Sequence, residues 1–529
     1  MLGACFMELD ALTRKEAKTV LDPVQIPQVR SELVPSDDVP WPELGPSAPV
    51  TFIATGAGFA LARAVMEDRC AMDTAKITAK HVLYYGCLTK VCVPYGNHVK
   101  LWQSRFDLRV VLACSSDKVE IDAEAPHRYI QDAVDAEVST ILSNLDDLQG
   151  SVFVSGPASV VKDVRRILIS SARDGIVKHA VSSLNGLNAV DLISIPNLKA
   201  RLASLKAAFP GAHFNHAIAV KANPIRKMGF GAECASFAEV HHALRLGFPP
   251  RSVVFDSPCK TYAELAAAIR LGCYVNLDNE DEIAKVECIL TEFYGVHIHV
   301  GSQGCALDLL VAGAKRAVDF SELVNAHIGV PQVQVVDIGG GLPTVYDGVS
   351  DLGYEDYAAQ LRIHVPDIFS TRVSIVTEFG RSVFVKAGIT LTKVESVKQW
   401  EGQNIAVVHV GANQFLRTAY LPHQWPHVLS VFDATGALRS GPFVRQDIAG
   451  PLCFSGDFLA KQVWLPQIQV GDYIVIHDTG GYTVSMYSKY NSRPSTAIYG
   501  YDVDRENRVH LTTFKEEESV DQVLAFWGP

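Results

Sequence analysis

The strongest constraint on the fold comes from a series of short apolar segments that each end in a polar or glycine-rich cluster. Between about residue 190 and residue 383 such segments alternate with stretches of helical periodicity. Strands that alternate with helices form parallel sheets, and a (β/α)8-type barrel carries its chemistry at the carboxyl ends of its strands. The predicted strands are His216–Lys221, Gly231–Ala235, Ser252–Phe255, Cys273–Asp278, Gly295–Val300, Val333–Ile338 and Ser374–Phe379.

The residues on either side of this segment follow other patterns. Residues 1–49 end in a Pro-rich polar stretch and are expected to be an extension or linker. Residues 50–180 alternate apolar strands with helical segments, which predicts a doubly wound parallel sheet with strands near residues 50–54, 81–85, 108–113 and 151–154. Residues 384–529 consist of short β-like runs, which predict an antiparallel β domain. The whole is an α/β protein whose central domain spans residues 190–383.

Composition excludes several classes of function. Lys plus Arg number 47 and Asp plus Glu 58, for a net charge of −11, whereas a nucleic-acid binder needs clustered basic residues. No run approaches the ~18 apolar residues of a membrane span, and no secretory signal is evident, so we expect a cytoplasmic protein without a membrane partner. The 11 cysteines are odd in number and scattered, which indicates free thiols, and their spacing predicts no metal site.

Several predicted strand ends carry side chains suited to catalysis. Lys221 ends an apolar strand, where an ammonium is costly to desolvate; it is either a salt-bridged residue at the rim or a Schiff-base lysine with a lowered pKa. The loop Gly339–Gly341 either offers backbone N–H groups to a phosphate or forms a tight turn. His299, Glu378 and Arg381 lie at the ends of two further strands.

Seven segments in this order match one known family. They are AVKANP (219–224), GAECAS (231–236), HVGSQG (299–304), DIGGGLP (337–343), EFGR (378–381), GPLCFSGD (450–457) and HDTGGYTVSMYSKYNSRP (477–494). From about residue 190 to 529 the chain resembles the pyridoxal-phosphate (PLP) dependent ornithine and diaminopimelate decarboxylases with an alanine-racemase-like barrel. The resemblance implies decarboxylation of an amino acid or amino-acid derivative through a Schiff base and a quinonoid.

The resemblance also implies a role for each matched residue. Lys221 would form the Schiff base, His299 would lie against the pyridine ring, and Glu378 would keep the pyridine nitrogen protonated, which favours decarboxylation over racemisation. Cys453 of the partner subunit, together with Asp457, would reprotonate the carbanion, so the resemblance implies a homodimer. The cofactor-binding residues that complete the set are Glu233, Ser302, Gly339, Gly340, Gly341, Arg381 and Tyr482.

Two departures from the family pattern bear on activity. Phe454 stands where these decarboxylases have an acidic residue that meets the distal ammonium of the substrate, and Asp457 is the remaining carboxylate of the motif; diamino acids are therefore expected to be poor substrates. A family helix is missing between Pro224 and Gly231, and the Arg-x-Asn-Pro strand is missing before His297. The chain is accordingly either an active decarboxylase or an inactive homologue with a binding or regulatory role.

Residues 50–180 carry a second resemblance, to the NAD(P)H-binding half of ferredoxin-reductase-like flavoenzymes. It rests on TFIATGAGFALARAVMED (51–68), VLYYGC (82–87), RYIQDAV (128–134) and VFVSGPASVV (152–161). This domain either binds NAD(P)H, which would make the protein a bifunctional fusion with a reductase half, or is a scaffold. The nucleotide contacts that the resemblance implies are Thr55, Gly56, Gly58, Gly86, Cys87, Gly156 and Pro157.

Overall fold

The structure is a computed structural model, and it describes part of the chain. The described residues are 50–55, 59, 62, 66, 80–87, 99–100, 102–103, 107–114, 130–138, 141, 151–155, 158–184, 186–223, 230–287, 294–346, 353–370 and 372–528. The predicted linker at residues 1–49, and the predicted nucleotide contacts Gly56, Gly58, Gly156 and Pro157, lie outside them. The described residues divide into two compact units, one of residues 50–180 with 345, 346 and 436–438 and one of the remainder.

The first unit contains a four-stranded parallel sheet with the order β3-β2-β1-β4. Its strands and helices are β1 (Val50–Thr55), β2 (Lys80–Cys87), β3 (Asp107–Cys114), α1 (Ile130–Ala136), β4 (Ser151–Ser155) and α2 (Ala158–Ser183). Alternate strand residues enter two separate apolar clusters, with Ile53 on one face and Phe52 on the other. Because both faces are covered, the strands are apolar along their length, as parallel strands require. The four predicted strands and the parallel sheet are confirmed.

The second unit contains a seven-stranded parallel sheet with the order β10-β11-β12-β6-β7-β8-β9. All seven predicted strands are present; six are shorter than predicted, and the strand predicted at His216–Lys221 has the same length but begins two residues earlier. In the described residues no hydrogen-bonded pair joins β9 to β10, so the sheet is open where the sequence lacks a strand. The strands are β6 (Phe214–Ala219), β7 (Gly231–Cys234), β8 (Val253–Phe255), β9 (Tyr274–Val275), β10 (Gly295–His297), β11 (Val335–Asp337) and β12 (Ser374–Thr377).

Helices alternate with these strands along the chain. They are α3 (Ile195–Ala208), α4 (Phe237–Arg245), α5 (Tyr262–Leu271), α6 (Glu280–Val286), α7 (Leu307–Ile328), α8 (Tyr354–His364) and α9 (Arg381–Phe384). The first of them shows why the segment is helical: Ser194 accepts a hydrogen bond from the N–H of Asn197, and a proline occupies the first turn. Leu198, Leu202 and Leu205 then recur on one face and are buried against the sheet, each worth about 1.5–3 kcal/mol.

The remaining strands form a nine-stranded sheet that is only partly antiparallel. Its strands are β5 (Ala189–Ser194), β13 (Gly388–Trp400), β14 (Gln403–Val408), β15 (Leu429–Phe432), β16 (Phe443–Ala449), β17 (Phe458–Pro466), β18 (Tyr473–His477), β19 (Ala497–Val503) and β20 (Val509–Lys515). The prediction of a purely antiparallel domain is wrong, because β14 pairs with β16, and β5 with β19, in parallel. The strand β5 precedes the helical segment in the chain yet pairs with β13, so the predicted barrel segment of residues 190–383 contains a strand of the β-rich sheet.

Two short helices, α10 (Leu416–Tyr420) and α11 (Val520–Trp527), interrupt the β-rich segment, in which the sequence predicted none. Among the described helices, none combines the length and apolarity that crossing a bilayer requires. Six cysteines whose side chains the structure describes are free thiols, as the odd and scattered set predicted: Cys87, Cys234, Cys259, Cys273, Cys305 and Cys453.

Candidate active site

The carboxyl ends of β6 to β12 meet at one edge of the second unit, because parallel strands point the same way. Lys221 follows β6, Glu233 lies in β7, His299 follows β10, Gly339 follows β11 and Glu378 follows β12. The sequence predicted that these strand ends carry the chemistry, and the structure brings them together. Residues that are up to about 160 positions apart in the chain thus share one site.

Lys221 pairs with Glu233, with its Nζ 2.7 Å from Oε1. The Glu233 side chain is fully buried, and burial raises the pKa of its carboxyl to about 7 although Lys221 opposes the shift. Burial acts to lower the pKa of Lys221, but the Glu233 carboxylate more than offsets it, so the pKa is raised. The sequence-based expectation of a lowered lysine pKa is therefore wrong in this state of the site, because the turn after β6 brings the ammonium to a carboxylate.

Glu378 is 5% exposed and lies among other carboxylates. Its pKa is raised well above the ordinary value by burial first and then by Asp337, Glu233 and Asp256. The Asn276 amide, at the end of β9, contacts Glu378 Oε1 at 3.5 Å and Asp337 Oδ2 at 3.4 Å. A carboxyl in this setting holds a proton, which suits a group that faces a basic nitrogen.

The loop Gly339–Gly341 runs close to the neighbouring strand ends. A Cβ on Gly340 would lie 2.3 Å from the carbonyl oxygen of Glu378, and one on Gly341 would lie 2.2 Å from that of Gly301. Gly339 and Gly341 also have positive φ angles of 65° and 91°, which favour glycine. The loop is thus a tight turn whose glycines permit close packing against the neighbouring strand ends.

Two of the three loop N–H groups are already engaged. The Gly339 N–H donates to Asp337 Oδ1 at 2.8 Å, and the Gly340 N–H donates to His299 Nδ1 at 3.4 Å. In the described part of the chain the Gly341 N–H has no protein acceptor and remains available for a phosphate. Ser302 lies exposed in the turn that follows His299. Burial, followed by the Lys221 charge, lowers the pKa of His299 and keeps its imidazole neutral.

An aromatic and cationic cluster borders the same edge. The guanidinium of Arg381 lies 4.4 Å from the Tyr482 ring and 4.8 Å from the Trp425 ring, and that of Arg417 lies 5.0 Å and 4.7 Å from the same two rings. The Tyr482 N–H donates to the Ala222 carbonyl, one residue beyond Lys221. Two guanidinium groups on one pair of rings attract an anion, so the cluster fits the phosphate of a cofactor.

The structure therefore adds residues that sequence reasoning missed. Arg417 and Trp425 join Arg381, and Asp256, His297 and Asn276 join Glu378. One carboxylate oxygen or imidazole nitrogen from each of Asp256, His297 and Glu378 lies within 4.8 Å of the other two. Three separate strand ends build this group, so no spacing in the sequence reveals it. The signal in the sequence was the strand-end position of Asp256 in FDSPCK and of His297 in VHIHV.

Cys453 does not lie among these side chains. It is exposed, its N–H donates to Asn491 Oδ1, and its carbonyl accepts from the Tyr490 hydroxyl. The next residue, Phe454, stacks on Tyr420 with ring centroids 5.6 Å apart. The cysteine loop is therefore presented to solvent in the single chain.

Asp457 has a structural role in that loop. It is 3% exposed, and its two carboxylate oxygens accept the N–H groups of Ala412 at 2.6 Å and Leu452 at 2.7 Å. A Cβ on Gly411 or Gly450 would lie within 2.2–2.4 Å of the same carboxylate. Because both oxygens are engaged, the geometry opposes the predicted substrate contact of Asp457.

In the first unit, Thr55 and Gly86 end adjacent strands and pair in register. A Cβ on Gly86 would lie 2.8 Å from Thr55 Cγ2, so glycine permits the close approach at this strand end. Cys87 follows Gly86, and its backbone lies opposite that of Cys114 in the β2–β3 strand pairing. The contribution of these residues to nucleotide binding stays a prediction.

A parallel sheet that gathers a lysine, a proton-holding glutamate, a glycine loop and an arginine–tyrosine pair at one edge fits the class of pyridoxal-phosphate enzymes. A model of the family described as pyridoxal-dependent decarboxylase, C-terminal sheet domain, matches residues 89–480. The chain belongs to this family, as the order of the sequence motifs predicted.

Curated relatives carry the same family's name. The diaminopimelate decarboxylase of Escherichia coli strain K12 is 33% identical over 249 residues, which cover 44% of this chain and 56% of the relative. That of Helicobacter pylori strain 26695 is 30% identical over 199 residues, which cover 38% of this chain and 47% of the relative. The chain thus spans about half the length of the curated relatives it matches.

Solved structures agree on the fold. Diaminopimelate decarboxylase from Helicobacter pylori, complexed with L-lysine, superposes with a TM-score of 0.58 at 21% identity and covers 65% of this chain and 98% of its own. A lysine/ornithine decarboxylase from Vibrio vulnificus, complexed with putrescine, gives a TM-score of 0.55 at 20% identity and covers 62% and 98%. At these identities the likeness concerns the fold alone, a parallel sheet joined to a β-rich region.

Proposed function

We propose that this chain is a PLP-dependent amino-acid decarboxylase whose site lies at the carboxyl ends of β6 to β12. The observation that carries the proposal is the placement at one sheet edge of Lys221, which is paired with Glu233, and of a proton-holding Glu378, in a chain that belongs to the pyridoxal-dependent decarboxylases. The seven-stranded sheet is, on this proposal, a shortened (β/α)8-type barrel that is open between β9 and β10.

The residues present fit the cofactor at both of its ends. In the described part of the chain the buried Oε2 atom of Glu233 has no hydrogen-bond partner, so it remains available as an acceptor beside Lys221. The Gly341 N–H, Arg381 and Tyr482 would bind the phosphate, and Ser302 would complete that end. Bound PLP supplies an electron sink for the pair of electrons released with CO2.

This chain's own residues then act on protons and orientation. Lys221 would be the covalent attachment point, and its proton can pass to Glu233, whose pKa of about 7 suits an acceptor near neutrality. Glu378 would hold a proton at the pyridine nitrogen, because burial and neighbouring carboxylates keep its carboxyl protonated. The neutral imidazole of His299 would pack against the ring and orient it.

Return of a proton to the substrate carbon is assigned to Cys453 of the partner subunit. The exposed thiol of this loop lies apart from the strand-end side chains of its own chain, which supports donation between two copies. The active form is therefore a homodimer, and mixing a Lys221→Ala chain with a Cys453→Ala chain should restore part of the activity that each variant lacks alone. No recovery after mixing would contradict a shared site.

The substrate is an amino acid whose distal end is uncharged or modified. Phe454 offers apolar surface worth up to about 2 kcal/mol to a matching group, and Asp457 is committed to backbone N–H groups. A buried distal ammonium would lack a partner there and would cost several kcal/mol. Phe454→Glu should therefore raise turnover of lysine, ornithine and diaminopimelate relative to the unmodified chain, and efficient turnover of these diamino acids without the change would refute the assignment.

The central experiment adds PLP to the purified chain, records visible absorbance, and measures CO2 release across a panel of amino acids. Glu378→Gln should keep bound cofactor and lose most of the decarboxylation, because an amide cannot hold the proton. A rate within about threefold of the unmodified chain, under roughly 1 kcal/mol of barrier, would contradict the role of Glu378.

A second candidate function is that of an inactive homologue that binds or regulates another protein. The open sheet between β9 and β10 favours it, because the site then lacks one wall in the described part of the chain. Bound PLP without CO2 release from any amino acid in the panel would favour this alternative.

For residues 50–180 we propose nucleotide binding, with NAD(P)H as the ligand. The strand order β3-β2-β1-β4 supports it, because the connection reverses beside β1 and such a switch point is where nucleotides bind in parallel sheets. Quenching of intrinsic fluorescence by NADH tests it, and Gly86→Val, which would meet Thr55, should weaken the quenching. The free thiols support a reducing compartment, and we propose the cytoplasm.

A further inference from the structure

Asp256 and His297 lie beside Glu378, although the family resemblance gave neither of them a role. Asp256 follows β8 and His297 ends β10. A carboxylate oxygen of Asp256, a ring nitrogen of His297 and a carboxylate oxygen of Glu378 all lie within 4.8 Å of one another. The Nδ1 atom of His297 lies 3.2 Å from Asp337 Oδ2. The imidazole is thus held between carboxylates that come from three different strands.

The charges around this group do not balance without a proton. Four carboxyl groups, Glu233, Asp256, Asp337 and Glu378, act on one another, and Lys221 is the cation that opposes them at Glu378. Burial acts to lower the pKa of His297, but Asp337, Asp256 and Glu233 more than offset it and raise the pKa. Among the described residues, neutral groups also face the cluster: the Asn276 amide, the His299 imidazole and the Tyr482 phenol.

We propose that Asp256 and His297 form with Glu378 a proton-holding triad at the pyridine-nitrogen end of the cofactor, in which Asp256 is a positioning residue that keeps His297 charged and Glu378 protonated. This inference rests on the proposed function. With the cofactor bound, Glu378 would hold its proton at the ring nitrogen and would itself remain as a carboxylate. The charged imidazole of His297 then stabilises the carboxylates that remain.

The fold does not depend on the Asp256 side chain. Its backbone N–H donates to the Cys234 carbonyl at 2.9 Å, which continues the β7–β8 pairing whatever the side chain is. Asp256→Asn therefore removes one negative charge at nearly constant shape. Asp278, another carboxylate near the end of β9 that lies outside the triad, provides the matched control Asp278→Asn.

The test measures PLP affinity by titration of visible absorbance, without substrate, across a pH series. Removing the Asp256 charge lowers the proton affinity of both Glu378 and His297, so PLP binding should be lost at lower pH. We expect the alkaline limb of the binding profile to move down by about one pH unit or more, as for a charge within 4–6 Å. Asp256→Glu should restore most of the profile, and Asp278→Asn should leave it unchanged.

A second variant serves if Asp256→Asn does not fold. His297→Gln removes the cation that lies among the carboxylates, so the proton affinity of Glu378 rises and the alkaline limb should move to higher pH. The triad would be overturned if the alkaline limb of the PLP-binding profile did not move in either folded variant, or if Asp278→Asn moved it equally. The proposed function would still stand in that case, provided that the unmodified chain shows the visible absorption band of bound PLP. Absence of that band in the unmodified chain would overturn both.

Discussion

Replacing Gly340 by alanine tests whether the glycine loop is shaped by contact or by backbone freedom. The φ angle of Gly340 lies outside the left-handed region, so alanine carries no conformational penalty there. The added Cβ would instead lie 2.3 Å from the oxygen and 2.9 Å from the carbon of the Glu378 carbonyl. Restoring ordinary contact needs a shift of about 1 Å in a loop or in the strand end that carries Glu378.

The cost of this substitution has two parts. Overpacking of this kind costs about 1–3 kcal/mol, which lowers the apparent melting temperature by about 2–10 °C for a unit of this size. Displacing Glu378 and the adjacent Gly341 N–H should also raise the PLP dissociation constant at least about tenfold, or about 1.4 kcal/mol. The two effects are separable because only the second needs the cofactor.

Thermal unfolding without PLP and titration of visible absorbance with PLP measure the two effects. Gly175→Ala is the matched control, because a Cβ there meets nothing within 4 Å and alanine is favoured inside a helix. That control should keep the PLP affinity and should not lower the melting temperature. If Gly340→Ala also keeps both, the close packing of the loop against Glu378 is wrong.

Three further predictions follow from the second unit. Borohydride reduction of the PLP-loaded chain and peptide mapping should label Lys221; a label on another lysine would refute the attachment point. Asp457→Asn should lower the free energy of unfolding in urea by about 1.5–3 kcal/mol, because two charge-assisted bonds to backbone N–H groups weaken; an unchanged value would contradict the structural role. Burial raises the pKa of Asp191 from 3.8 to about 6, so the folded chain holds this proton more tightly than the unfolded chain, and stability falls as pH rises through this window. Asp191→Asn should flatten the dependence of unfolding free energy on pH. An equally steep dependence in the variant would exclude Asp191 as its source.

The sequence alone determined which segments form strands and where the chemistry lies along the chain. Apolar runs bounded by polar clusters placed β1 to β4 and β6 to β12, because burial on both faces of a parallel sheet demands continuous apolar residues. The same logic put Lys221 and Glu378 at strand ends. The family followed from the order of the motifs, and the match over residues 89–480 confirmed it.

Only the tertiary structure decided which of these residues meet and with what charge. The fold pairs β5 with β13, about 200 positions away, because hydrogen bonding between strands carries no local sequence signal. It also raises rather than lowers the pKa of Lys221, because Glu233 arrives from the neighbouring strand. Asp256, His297 and Arg417 lie at the site only because the fold brings them close to its other side chains. The sequence pattern cannot predict this, because the period of a strand fixes which face a residue lies on and not which residue lies next to it across the sheet.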